Sequence, residues 1–378
     1  MSCKYVIIVP DGAADKPLAE FGGKTILEAA KIPNIDRLSS EGRQGLVQTV
    51  PTGMEPGSDV AQMSLLGYDP ARYYTGRAPI EAVAMDIDLD ASDWGFRGNL
   101  VAVCDEKMAD HSAGHITSEE GGKLIDELNG SFASETLRFH KGVSYRHLLV
   151  CKGYDFDVQT YPPHDYIGIK IEKILPRGKG ADMLIDLMAR SGQLFAGHDI
   201  NRVRLDLGEN QVSSIWLWGE GKRTVMDSFE KRFGLRGASI TAVDLVRGLS
   251  KLIGFDLIAV EGATGFVDTN YEGKANAAIE ALEKYDVVFV HVEGPDEAGH
   301  NKNAQLKKLA VERIDKYIVG PVYEALQKYP QWRMMVLPDH PTPVESGAHS
   351  SDAVPFAMAG SQVSGIVHKN FSESNSEQ

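Results

Sequence analysis

"YDVVFVHVEGPDEAGH", residues 285–300, decides how the fold is read. A β-rich apolar run ends at an acid, Gly294 and Pro295 break it, and Asp296 and His300 follow. Continuous apolar runs mark strands covered on both faces, as in parallel sheets. The same grammar recurs in "YVIIVPDG" (5–12), "NLVAVCDEKMADHSAGH" (99–115), "FDLIAVEGATG" (255–265) and "RMMVLPDH" (333–340). Helical patterns lie between, in 25–42, 273–285 and 303–329. Strand–helix alternation predicts an α/β fold, a doubly wound, mostly parallel sheet. Such sheets bind ligands beyond the carboxyl ends of their strands, and that is where these acids sit.

The middle of the chain reads differently. Turns, aromatic residues and charges interrupt it more often, and "SSIWLWGEGKR" (213–223) suggests a hairpin. We expect a smaller α+β domain, 77–235, inserted into a core made of 1–76 and 236–378, with borders soft by about ten residues. The last segment, "NFSESNSEQ", is polar and expected to fray.

Composition narrows the function classes. Of 378 residues, 43% are hydrophobic and 24% charged, which is globular and not disordered. A net charge of −14 argues against nucleic acid as a partner, because phosphate backbones demand clustered Lys and Arg. A small anionic substrate remains compatible, since it needs only a local group of cations or a metal. Cys3, Cys104 and Cys151 are too scattered for a disulfide framework or a Cys zinc site, so a reducing cytoplasm is expected. No apolar run approaches a membrane span. Oligomeric state has no signature here.

The strand ends supply metal-ligand types. Asp11 ends the first strand, Asp296 and His300 follow the strand near 286–292, and Asp339 with His340 end the strand near 334–337. A helix after Pro295 places Asp296 and His300 on one face, four residues apart. His349 can return from the next loop. Each acid alone is an ordinary turn residue or helix cap; the joint pattern is what carries weight. Packed carboxylates repel unless cations intervene, so a pair of divalent metals is expected. Mixed Asp and His ligation suits manganese, zinc or cobalt better than magnesium.

"PTGMEPGSDVAQMSLLGYDP" (51–70) adds a hydroxyl. Ser58 precedes a short helical pattern. As an ordinary residue it is an N-cap. As a functional one it is a nucleophile, activated by the helix N-terminus and a bound metal. "FGGKT" (21–25) lacks the first glycine of a P-loop. "YRHL" (145–148) has no glycine after its histidine and supports no histidine nucleophile.

Together, "PDGAAD", "PGSDVAQMSLLGYDP", "YYTGRAPIEA", "RGNLV", "MADHSAGHI", "NYEGKA", "HVEGPDEAGH", "LPDHPTP" and "HSSDAVPF" resemble the archaeal-type 2,3-bisphosphoglycerate-independent phosphoglycerate mutase family of alkaline phosphatase-like metalloenzymes. The resemblance covers about residues 1–360. It implies interconversion of 3-phosphoglycerate and 2-phosphoglycerate through a phosphoserine at Ser58, with two divalent ions and no 2,3-bisphosphoglycerate. Manganese is the expected metal; zinc, cobalt and magnesium are the other candidates. One ion would take Asp296, His300 and His349; the other Asp11, Ser58, Asp339 and His340. The insertion would hold the glycerate and close over the metals. Candidate substrate residues are Arg97, Arg202, Arg204, His111, His115 and Lys274, with Asp165 as a base. Arg202 and Arg204 alternate and would share a face if they lay on a strand. A homoserine kinase-like phosphotransferase and a metal-dependent phosphomonoesterase are the competing activities.

Overall fold

The computed structural model describes residues 3–366 and 368–377. The chain divides into two compact units, Met1–Tyr73 with Met226–Gln378, and Tyr74–Val225. The return expected at 236 comes ten residues earlier, at 226. The helix Phe229–Phe233 belongs to the outer unit because aromatic packing holds it there. Phe229 meets the ring of Phe255 at 4.8 Å between centroids, and Phe233 meets Tyr68 at 6.3 Å.

The outer unit holds a seven-stranded sheet. Its order is Asp256–Leu257, Gly237–Ile240, Val287–Val292, Lys4–Pro10, Trp332–Val336, Val354–Gly360 and Arg43–Val47. The first five run parallel, and Val354–Gly360 joins antiparallel. Every residue of Val287–Val292 is buried. Val288, Val290 and Val292 pack with Val6 and Ile8 beneath the helices at 33–41, 271–284 and 304–326, while Val287, Phe289 and His291 are buried on the opposite face. A strand covered on both faces has no polar alternation, which is why this run is unbroken. The "FDLIAV" run yields only the two-residue strand Asp256–Leu257.

Through Ser376 the tail packs by specific contacts. Phe371 is buried, and the short helix Glu373–Ser376 carries a carboxylate that accepts from the Asp15 backbone N–H (3.1 Å) and the Thr25 hydroxyl (2.6 Å). Polar composition concealed one apolar anchor and one specific acceptor.

The second unit is α+β. Trp94–Cys104, whose apolar run shares the grammar of the parallel strands, is the centre of an antiparallel sheet. It pairs with Arg146–Cys151 and with Ser214–Lys222, and its end pairs with Lys107–Asp110. The "IWLW" segment is thus one strand and not a hairpin, because the long central strand supplies its hydrogen bonds. Helices Ser118–Phe132 and Ala181–Ala196 contribute Leu124, Leu128, Leu184 and Phe195 to the core beside this sheet.

Candidate metal centre

Three adjacent parallel strands deliver the acids. Asp11 follows Lys4–Pro10, and Gly12 then turns with φ +61°, in the left-handed region that glycine occupies freely. A Cβ at Gly12 would sit 2.5 Å from Asp296 Oδ1, so only glycine lets the two loops approach. After Val287–Val292 the chain enters the helix Gly294–His300, with Pro295 in its first turn. One helical turn sets His300 Nε2 3.2 Å from Asp296 Oδ2. His349 Nε2 comes within 3.0 Å of His300 Nε2 and 3.5 Å of Asp296 Oδ1. The second group forms after Trp332–Val336, where His340 Nε2 lies 3.5 Å from Asp11 Oδ1 and 3.4 Å from Asp339 Oδ2. In each trio, one potential ligand atom per residue lies within 4.8 Å of the others. The His340 and His349 rings are 4.2 Å apart, so the trios are neighbours.

The supporting hydrogen bonds leave specific atoms open. Asp339 Oδ1 accepts from the backbone N–H groups of Gly12 (3.1 Å) and His340 (3.0 Å), and Oδ2 accepts from Gln62 Nε2 (2.9 Å). Asp11 Oδ2 is 2.6 Å from His291 Nε2. Its other oxygen, Oδ1, is buried and has no hydrogen-bond partner among the described residues. Burial pushes His291 down to about 3, so this ring is neutral. Beneath these loops, the buried Lys307 ammonium donates to Asp15 Oδ2 (2.7 Å), to the Thr342 carbonyl (2.8 Å) and to the Ala14 carbonyl (3.1 Å). That pairing ties the loop after Asp11 to the loop after His340.

The electrostatics ask for cations. Burial pushes Asp11 well above the usual carboxylate range, and Asp339 and Asp296 add to it. Burial also works against Asp296, but His300 and His349 outweigh it and hold that carboxyl well below its ordinary value. Burial lowers His300 while Asp296 raises it more, to about 10. Burial lowers His340. Three buried carboxylates, three imidazoles and an orphaned carboxylate oxygen make a donor set that fits divalent cations.

Ser58 opens the helix Ser58–Leu65 as its first residue; the expected cap position belongs to Gly57. Freed from capping, Ser58 Oγ lies 3.0 Å from His340 Nε2. Its hydroxyl therefore sits at a helix N-terminus and beside the second trio. Gln62, one turn on, ties the same helix to Asp339.

Of the residues expected to hold substrate, the structure gathers some. In the second unit, Arg97 is buried, donates to Glu81 Oε1 (2.5 Å), and stacks over Trp218 at 5.0 Å. Arg77 donates to the same Glu81 oxygen (2.9 Å) and also faces Trp218. His111 meets Tyr145 and His164 edge-on, and His164 meets Trp218. Asp165 lies beside His164, 3.8 Å away. His115 is exposed. Arg202 and Arg204 do not share a face. They lie on the helix Asp199–Asp206, where residues two apart diverge. Arg202 is exposed and pairs with Asp199, whereas Arg204 is buried and donates to the Ala113 and Asn210 carbonyls and pairs with Glu120 and Glu209. Lys274 is buried in the outer unit and donates to the His291 carbonyl (2.8 Å); burial pushes its pKa down to about 8.

Sequence reasoning missed His291, Thr342, Gln62, Arg77 and Trp218 as neighbours of the candidate groups. A histidine inside "VVFVHV" and an Arg–Glu pair four apart in "TGRAPIEA" were the available signals.

The fold and the groups at its mouth define a class, an α/β enzyme with a candidate two-metal centre. A sequence model of the 2,3-bisphosphoglycerate-independent phosphoglycerate mutase family matches residues 39–201. A Methanothrix thermoacetophila protein of that name is 49% identical over 361 residues, 95% of this chain and 91% of the relative. One from Methanosarcina mazei is 47% identical over 357 residues, covering 94% and 90%. The chain belongs to this family. A solved Pyrococcus horikoshii protein shares the fold at TM-score 0.81 and 29% identity, covering 100% of this chain and 92% of the other. A cofactor-independent phosphoglycerate mutase from Thermoplasma acidophilum aligns at TM-score 0.61 and 26% identity, covering 100% and 94%.

Proposed function

We propose that this enzyme interconverts 3-phosphoglycerate and 2-phosphoglycerate through a phosphoserine at Ser58. The observation that carries the reading is the Ser58 hydroxyl, 3.0 Å from His340 Nε2 at a helix N-terminus beside two acid–imidazole trios, in a chain of this family. Asp296, His300 and His349 would hold one divalent ion; Asp11, Ser58, Asp339 and His340 the other. Manganese is the proposed metal. Bound there, such ions neutralise phosphoryl oxygens and lower the pKa of a ligating hydroxyl.

Ser58 Oγ attacks phosphorus as the bond to the glycerate O3 breaks. The glycerate stays bound, and its O2 then takes the phosphoryl group and frees Ser58. No added 2,3-bisphosphoglycerate is needed, because the phosphoryl group cycles through the chain itself. Retention requires a carboxylate holder, since escape leaves phosphate hydrolysis as the outcome. Arg97 is the proposed holder in the inserted unit. Arg77 stands beside it, and Arg146 acts on the same Glu81. Bidentate guanidinium geometry suits a carboxylate. His111 is proposed to contact the glycerate, and Asp165 to serve as base for its second hydroxyl. Arg202 and Arg204 do not suit this role, since one is exposed and the other is held by carbonyls and acids. Among the described residues no helix is long and apolar enough to cross a membrane. A cytoplasmic location is proposed from the three unpaired thiols.

The test is the product formed from 3-phosphoglycerate with Mn²⁺ and no primer. We expect 2-phosphoglycerate, lost on chelation and restored by Mn²⁺ or Co²⁺. Free phosphate as the main product would show a phosphomonoesterase instead.

A further inference from the structure

Thr342 links the two trios through one hydroxyl. It is fully buried, and its Oγ1 lies 2.5 Å from Asp296 Oδ1 and 3.3 Å from His340 Nδ1. Its backbone is pinned: the carbonyl accepts from Lys307, and the N–H reaches the Gly12 carbonyl at 3.3 Å. A Cβ at Gly299 would sit 2.6 Å from the Thr342 carbonyl oxygen, so that glycine makes room for the residue.

A hydroxyl has one proton to give, and a carboxylate can only accept. The proton of Thr342 therefore goes to Asp296. Its contact with His340 then holds only if His340 Nδ1 is the donor. In the neutral ring a proton on Nδ1 leaves Nε2 bare. Nε2 is the atom that faces Ser58 Oγ, Asp11 Oδ1 and Asp339 Oδ2 at 3.0, 3.5 and 3.4 Å.

We propose that Thr342 is a positioning residue: it fixes His340 as the Nδ1–H tautomer and so turns the Nε2 lone pair toward Ser58 and the second trio. Outer hydrogen bonds of this kind orient ligating imidazoles and set their tautomer. The inference rests on the reading of His340 as a metal ligand.

The experiment compares the wild type with Thr342→Val, which removes the hydroxyl at nearly constant volume, and Thr342→Ser, which keeps it. Calorimetric titration of metal-free protein with Mn²⁺ should show the valine variant weaker by about 10–100-fold and the serine variant restored. kcat should fall in the valine variant with KM nearly unchanged, and recover in the serine one. Ring ¹⁵N shifts of the wild type, metal-free and Zn²⁺-loaded, should place a proton on Nδ1 of His340. That measurement needs no variant to fold. An Nε2–H tautomer in the wild type, or undiminished Mn²⁺ affinity in Thr342→Val, would overturn the proposal. A wild type that binds no divalent ion would overturn the metal reading instead, and the metal-free tautomer would still decide the role of Thr342.

Discussion

Each unit gathers one cluster of charge, and the two clusters differ in sign. At the mouth of the parallel sheet, Asp11, Asp296 and Asp339 converge, and three imidazoles offset them only in part. In the inserted unit, Arg77 and Arg97 share one carboxylate, Glu81, with Arg146 acting on it as well. Burial opposes the charge in both places. It drives Asp11 upward, and it lowers Arg97 to about 10 despite Glu81. Buried charges that do not cancel within the chain are costly, and a ligand of opposite sign relieves them. The first region offers a donor set for cations, and Arg97 in the second is the proposed holder of the substrate carboxylate.

The sharpest way to break the contrast is at Ser58. Ser58→Ala should lower turnover by about 10⁴-fold or more, as loss of a nucleophile does, while calorimetry still finds divalent binding. Normal turnover in this variant would reduce Ser58 to a helix residue. The next largest effect is on folding. Lys307→Met leaves Asp15 buried without its cation, and denaturant unfolding should show a loss of about 3–5 kcal/mol. A loss below about 1 kcal/mol, the surface-pair scale, would mean the pair does not brace the loops.

In the inserted unit the effect should fall on substrate and not on metal. Arg97→Met should raise KM by about 10–100-fold, the equivalent of roughly 1.5–3 kcal/mol for a charged hydrogen bond. Mn²⁺ affinity should stay at the wild-type value; a parallel loss of metal would erase the division of labour. A smaller effect concerns pH. Burial holds His147 neutral, with its pKa pushed down to about 3 from 6.5. The unfolded chain takes up the proton first. The stability this ring contributes is complete above 6.5 and is lost as pH falls from 6.5 toward 3, at up to about 1.4 kcal/mol per pH unit. His147→Gln should flatten that part of the profile, and an unchanged slope would assign acid sensitivity elsewhere. Smallest of all, Arg202→Ala should leave KM and melting temperature unchanged, because its pair with Asp199 is exposed.

Much of the outer unit's candidate site was legible. Asp11, Asp296 and Asp339 each end an apolar run, and the spacing of four between Asp296 and His300 reads directly as a helical face. Ser58 was legible as the start of a helix, though Gly57 and not Ser58 holds the cap position. The inserted unit was harder. Arg77, Arg97 and Arg146 are far apart in the chain, and no local period connects them. Arg202 and Arg204 invited a strand reading because alternation is the strand signature. The helix Asp199–Asp206 exposes Val203 and Leu205, so its apolar residues do not mark a buried face either.

By itself the sequence determined the parallel sheet, the placement of acids at its carboxyl ends, and the types of ligand they offer, because burial and chain reversal leave periodic, local marks. Only the tertiary structure decided which atoms face one another. Ser58 and His340 are 282 positions apart, and Thr342 meets Asp296 across 46. Those meetings depend on loop geometry at the sheet's edge, including the Gly12 turn and the Lys307 brace, and hydrophobic periodicity carries no record of where a polar side chain points.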